Sequence, residues 1–365
     1  MSNVARWKVH GPVKALRTEF ATWDLNQDDW QPVEHVTLTS FRFDGTVSTS
    51  DTHNPGGSIA HSRWLYDGAG RVAESNSWMN DGPIDRSVYS YDEAGRHIRT
   101  MRLDHDGTQA DLEVCSYDAD GRKTKVQFLF SREADSECGA GNACGASTGY
   151  GIEGTDTAYG ARGATTMTVT YDEKNLPAKV LFHDANHRPL TSVIFKRDSA
   201  GRLLSEEMHQ GEISPFQGIV DQAPPERREE MAAMAAMLKQ VLGETLSNTT
   251  YTYDAEGRLV KRENRMGSLA EDSTTYRYDA HDDPVEETVE RRSREGSFDE
   301  IGNIHYTSDR VNVQHNRLEY RYDAHGNWTE RIVSFRRESE PDFQRSNIER
   351  RAITYHDARL NDQYS

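Results

Sequence analysis

The stretch "YTYDAEGRLVKRENRMGS" (Tyr251–Ser268) holds a bulky–polar–bulky triplet, an Asp, a Gly three residues later, an Arg, and then a second run of mixed polarity. Near-copies read "YSYDEAGRHIRT" from Tyr89, "CSYDADGRKTKV" from Cys115 and "YRYDAHGNWTER" from Tyr320. The phrase starts at Tyr66, Tyr91, Tyr117, Tyr171, Arg197, Tyr253, Tyr278 and Tyr322, with a worn copy at Tyr355 and an opening one in "FRFDGT", Phe41–Thr46. Four of the eight neighbouring gaps are 25 or 26 residues and two more are about twice that, which marks a repeat architecture.

Each unit reads as a hairpin. Trp64, Tyr89, Tyr251, Tyr276 and Tyr320 stand two residues before the key Tyr, and positions two apart share a strand face. The residues between them are mostly polar, as a half-buried strand requires. Asp then opens a turn by accepting backbone N–H groups, and Gly supplies the left-handed position of a short hairpin loop. Arg begins the return strand. Second turns such as "LDHDGT" (Leu103–Thr108) and "HDANHRP" (His183–Pro189) join unit to unit. The fold class expected is all-β, a long antiparallel meander of roughly 18 to 20 strands in a curled or spiralled sheet, with one inserted amphipathic helix.

Composition agrees. Hydrophobic residues are 35% and charged residues 28%, and Tyr (16) outnumbers Phe (11), a balance suited to two-faced β-structure. The formal charge of −17 repels phosphate backbones, so nucleic acid is not an expected partner. No apolar run approaches the ~20 residues of a membrane-spanning helix, and "MSNVARWKVHGPVKALRTEF" has no apolar signal region. The expectation is a cytoplasmic protein or one exported without a Sec signal. Three cysteines make no disulfide framework; Cys138 and Cys144 in "CGAGNAC" either pair or stay reduced.

On the recurring Tyr-Asp-x-x-Gly-Arg phrase, at Tyr91–Arg96, Tyr117–Arg122 and Tyr253–Arg258, the chain resembles the RHS/YD-repeat family over most of residues 40 to 360. The resemblance implies a sheet that spirals into a hollow shell around a polypeptide, often a toxin. It does not extend to the Asp-Pro motifs of the family's self-cleaving core or to a toxin domain, so those activities are not implied. About 18 strands at ~4.8 Å, closed once, would make a ring ~27 Å across with ~17 Å clear, enough for a helix or strand.

The expected division is 1–40 as N-terminal strands or a cap and 41–365 as the repeat sheet, interrupted at 131–165 by a Gly-rich loop and at 212–246 by a helical insertion. The loop lacks the ending of a phosphate-cradling motif and reads as a surface loop. In "PPERREEMAAMAAMLKQVLGE" an acidic first turn and Gly243 bracket a helix whose stripe includes Met231, Met234, Leu238 and Leu242. That stripe either covers a sheet face or plugs the inside of a curled sheet.

No catalytic, cofactor or metal motif stands out. "HDANH" (His183, Asp184, His187) has metal-like composition but straddles a turn, and His281 and His325 occupy equivalent turn positions. A Ca²⁺ site from Asp104 and Asp106 would be too short for a complete loop. Trp64, Trp78 and Trp328 are candidates for stacking on sugar rings. The function expected is a non-catalytic scaffold, without cofactor, that binds or encloses a polypeptide segment or a glycan. The alternatives are a polysaccharide hydrolase using two carboxylates in a sheet cleft and a shortened component of a toxin-encapsulating assembly.

Overall fold

The structure, a computed structural model, describes residues 9–130, 150–151, 158–159, 164–212, 220, 223–268, 270–298 and 304–356. The first half contains β1 (Val13–Asp24), β2 (Asp29–Trp30), β3 (His35–Phe41), β4 (Val47–His53), β5 (Ile59–Tyr66), β6 (Val72–Met79), β7 (Asp85–Tyr91), β8 (His97–Leu103), β9 (Gln109–Tyr117) and β10 (Lys123–Phe130). A two-residue pair follows, β11 (Tyr150–Gly151) with β12 (Ala158–Tyr159). Then come β13 (Thr166–Tyr171), β14 (Pro177–His183), β15 (Pro189–Arg197), β16 (Leu203–Gln210) and helix α1 (Arg228–Leu242). The chain ends with β17 (Thr245–Tyr253), β18 (Leu259–Met266), β19 (Ala270–Tyr278), β20 (Pro284–Phe298), β21 (Ile304–Tyr322), β22 (Trp328–Arg337) and β23 (Gln344–Tyr355).

From β3 onward each sheet strand pairs antiparallel with the next, β10 passing directly to β13 and β16 directly to β17. β1 sits between the two ends of this meander. Leu16 lies opposite Thr39 of β3 on one side and opposite Ile353 of β23 on the other. The sheet therefore closes into a twenty-stranded barrel, and β2 only extends the far end of β1. The expected spiral is corrected here: pairing both edges with β1 removes the exposed backbone donors and acceptors an open sheet would carry.

Strand tilt makes the ring wider than the sequence arithmetic allowed. Followed from pair to pair, the register that leaves Leu16 toward Thr39 and returns through Ile353 is displaced by about 22 residues. With spacings of ~4.8 Å between strands and ~3.4 Å along them, this sets a tilt of about 38° and a backbone diameter of roughly 39 Å. Removing ~10 Å for side chains leaves a lumen roughly 29 Å wide, more than twice the width of one helix.

The tyrosine face is the more buried. In β5, Trp64 and Tyr66 are half-buried while Leu65 between them is 53% exposed. Inward side chains of a closed barrel converge and outward ones splay apart, so the tyrosine face is the lumenal one. Its apolar core has two parts. Val126, Phe128, Met167, Val169, Val180, Phe182, Val193 and Phe195 form one across β10–β15, and Val13, Leu16, Phe41 and Val47 form the other beside the closing strand. The outer face has a smaller buried patch at Ala21 and Ile348, opposite one another, and Arg345 covers Trp23 and Trp30 nearby.

Candidate functional site

Every repeat turn lies on one rim of the barrel, and the phrase that builds it is a chain of contacts running from hairpin to hairpin. In the turn of Tyr253–Arg258, Gly257 N–H donates to the Asp254 carbonyl and Asp254 N–H to the Arg258 carbonyl. Asp254 Oδ1 accepts the Arg258 N–H, and Oδ2 takes the Arg258 Nε–H at 2.8 Å. Asp67–Arg71, Asp92–Arg96, Asp118–Arg122 and Asp198–Arg202 repeat this pairing. Each guanidinium then lies over the tyrosine of the following unit: Arg71 over Tyr91, Arg96 over Tyr117, Arg122 over Tyr171, Arg202 over Tyr253 and Arg258 over Tyr278. That tyrosine's hydroxyl donates back to the carbonyl just past the arginine, Tyr91 to Val72, Tyr253 to Leu203 and Tyr278 to Leu259.

Copies that depart from the phrase keep the same contacts by other means. Arg197 stands where Tyr is expected, and its Nη1 donates to the Pro177 carbonyl in place of a hydroxyl. Asp283 and Asn327 replace the Arg of two units; there His281 stacks on Tyr322 at 4.0 Å and His325 on Tyr355 at 4.1 Å. The histidines thus replace the guanidinium on the next ring. The "HDANH" segment resolves the same way: Asp184 caps its turn and pairs with Arg188, and His187 takes the left-handed position at φ 61°. Asp106 likewise accepts from the Thr108 N–H and hydroxyl within its own turn.

At the closing seam the lumenal wall carries a charged cluster. Trp328 is 5% exposed, with the Arg351 guanidinium 3.4 Å from its ring centroid and Arg331 at 5.2 Å. Glu349 binds Arg331 at 2.6 Å and lies 3.7 Å from Arg351. Burial draws the Arg351 guanidinium down to about 10, against the opposing pull of Glu349. Just above, fully buried Asn327 donates to the His10 carbonyl and the Tyr355 hydroxyl, and accepts from the His10 N–H. Asn327 thereby ties the chain entering β1 to the chain leaving β23.

The other predicted site residues are scattered. Trp64 faces the lumen in a cavity of about 360 Å³ with Ser62, Ser75, Ser77, Ser87, Asp85 and Arg102. Trp78 faces outward in a cavity of about 420 Å³, with His61 stacked on its ring at 4.8 Å and Arg63 at 5.3 Å. The helix exists, with Met231 half-buried, Met234 43% exposed and Ala235 buried. Leu238 and Leu242 belong to it, but their side chains lie outside the described residues. Cys138, Cys144 and most of 131–165 also lie outside them.

One grouping was not legible in the sequence. His97 opens β8, while Glu113 and Cys115 share one face of β9, and their ligand atoms lie within 4.8 Å of one another. Burial pushes the Cys115 thiol up to about 12, and burial lowers His97. The signal was present only as a bulky repeat position filled by Cys instead of an aromatic residue.

No family model matches the chain, and no curated protein matches it. Among solved structures it is similar to a chain of a Photorhabdus luminescens Tc holotoxin pore, at 11% identity over 89% of this chain and 15% of that one, with TM-score 0.37. A TcdB2-TccC3-Cdc42 structure gives 10% identity, the same coverage and TM-score 0.37. A porin-like protein from Bacteroides uniformis gives 8% identity over 95% and 99% of the two chains, with TM-score 0.33. The chain thus spans about 15% of the toxin chains it matches.

Proposed function

We propose that the barrel is a non-catalytic container that encloses a polypeptide segment in its lumen. The observation that carries this reading is the closure of β23 onto β1 with the tyrosine face inward. The nearly complete burial of lumenal Val126, Phe182 and Leu16 means that part of the roughly 29 Å width is covered, and what is left would admit a helix or an extended strand. Part of the wall is hydroxyl-bearing, with Ser62, Ser75, Ser77 and Ser87 beside Trp64. That stretch of wall hydrogen-bonds a passing backbone, while the buried apolar side chains across β10–β15 and beside the closing strand line other parts of the same face.

The hydrolase alternative gains no support from the carboxylates. Among the described residues, the carboxylates with displaced ionisation, Asp67, Asp92, Glu74 and Asp323 among them, all move below the usual range, opposite to a general acid. A glycan reading rests on the open cavities beside Trp64 and Trp78. The decisive assay uses reduced, carboxymethylated lactalbumin, a permanently unfolded chain, digested by protease with and without the barrel. The container reading expects a fragment to survive at about one per barrel. Unchanged digestion across all concentrations, with a soluble oligosaccharide quenching tryptophan fluorescence instead, would replace it with the glycan reading.

A further inference from the structure

We propose that His97, Glu113 and Cys115 form a three-ligand site on the lumenal wall for a borderline divalent transition metal such as Zn²⁺. Two of its three ligand pairs lie near the spacing a metal imposes, and the third pair, His97 with Glu113, lies within 4.8 Å. Tetrahedral coordination by nitrogen, sulfur and oxygen places neighbouring ligand atoms ~3.5 Å apart. Here His97 Nδ1 lies 3.8 Å from Cys115 Sγ, and Sγ lies 3.3 Å from Glu113 Oε1. The three atoms are therefore close to where a metal would hold them, with only side-chain adjustment left to make.

The surroundings supply what a ligand set needs. His97 Nε2 is 2.8 Å from Thr100 Oγ1, which fixes the ring and turns Nδ1 toward the thiol, as the outer partner of a metal-bound histidine does. Cys115 is 6% exposed on a strand, and Glu113 lies two residues before it on the same face, so neither ligand depends on a loop. Imidazole, thiolate and carboxylate together suit Zn²⁺ or Co²⁺ and not Ca²⁺ or Mg²⁺, which want oxygen alone. Three protein ligands leave a fourth position toward the lumen for water or a donor from an enclosed chain. As the metal–sulfur bond forms, the Cys115 proton leaves to solvent, and thiolate and carboxylate together balance the metal's charge. One group opposes binding. Lys123, which opens β10, reaches the thiol with its ammonium.

Cobalt titration of the full-length chain tests this, in a Cys138→Ser/Cys144→Ser background stripped of metal with chelator. Co²⁺ should produce a saturable thiolate-to-cobalt charge-transfer absorption at one equivalent. Cys115→Ser should abolish it, His97→Ala and Glu113→Gln should each weaken binding at least tenfold, and Lys123→Met should strengthen it. Thr100→Val should keep the band and weaken binding about tenfold. Should Cys115→Ser fail to fold, Glu113→Gln and Lys123→Met carry the test alone, since they must move the affinity in opposite directions. No charge-transfer band at saturating Co²⁺, or a band insensitive to these substitutions, would overturn the site.

Discussion

Asp67 shows how much one carboxylate does in this fold. One oxygen accepts two backbone N–H groups, those of Ala69 and Arg71, and the other holds Arg71, which in turn lies on Tyr91. The Arg71 guanidinium and N–H hold Asp67 below the usual carboxylate range, and the Arg96 N–H does the same for Asp92. Because the folded values lie below the unfolded ~3.9, the stabilisation from these turns is complete above that pH and is lost as acid protonates them. The tyrosines act in the opposite direction. Burial pushes Tyr117, Tyr251 and Tyr355 up to about 12, so their share is complete below the unfolded ~10 and is lost as pH rises toward 12. The half-buried His97 and His183, both held below the ordinary imidazole value, add a loss that begins as pH falls below the unfolded ~6.5. Urea midpoints measured from pH 2 to 12 should therefore stay flat between about 7 and 9 and fall on both sides. The turn roles of Asp and Gly were legible in the sequence. Arg's second partner was not, because it lies on the next hairpin and only pairing reveals it.

At the scale of the hairpin, the turn is a three-residue loop whose last position is left-handed, followed by a one-residue register shift on the return strand, where Val260 is extra opposite Thr252 and Tyr253. Gly257 has φ 87°, and a Cβ there would meet Arg202 Nη1 at 3.4 Å. Gly257→Ala should cost about 1–2 kcal/mol in urea unfolding, from the left-handed backbone alone. Asn175 holds the equivalent position at φ 60°, so Asn175→Gly should leave stability within ~0.5 kcal/mol. An equal loss at both positions would mean that the left-handed backbone is not what the glycine provides. The sequence placed these turns well because Gly, Asn and Asp announce them locally. It placed helix α1 from its acidic first turn and Gly243, yet not what it covers: among the described residues the helix touches its own leading turn and β17. The His97 cluster stayed invisible because its members belong to two strands whose pairing no local pattern specifies.

For the whole molecule, closure depends on registers accumulated over twenty strands, to which each repeat adds a small stagger. The repeat number bounded the ring, but no residue states that the last strand will find the first. The seam explains it after the fact: β1 has a partner on both sides, and Asn327 joins the two chain segments that meet there. Without closure, β3 and β23 would be edge strands open to other molecules. The most direct test places cysteines at Thr22 and Asn347, which face each other across the seam, in a chain with its three native cysteines changed to Ser. Oxidation should give a disulfide within one chain, seen as faster migration on a non-reducing gel at every protein concentration. Disulfide-linked dimers that grow with concentration, with no intramolecular product, would show an open sheet and contradict the closed barrel.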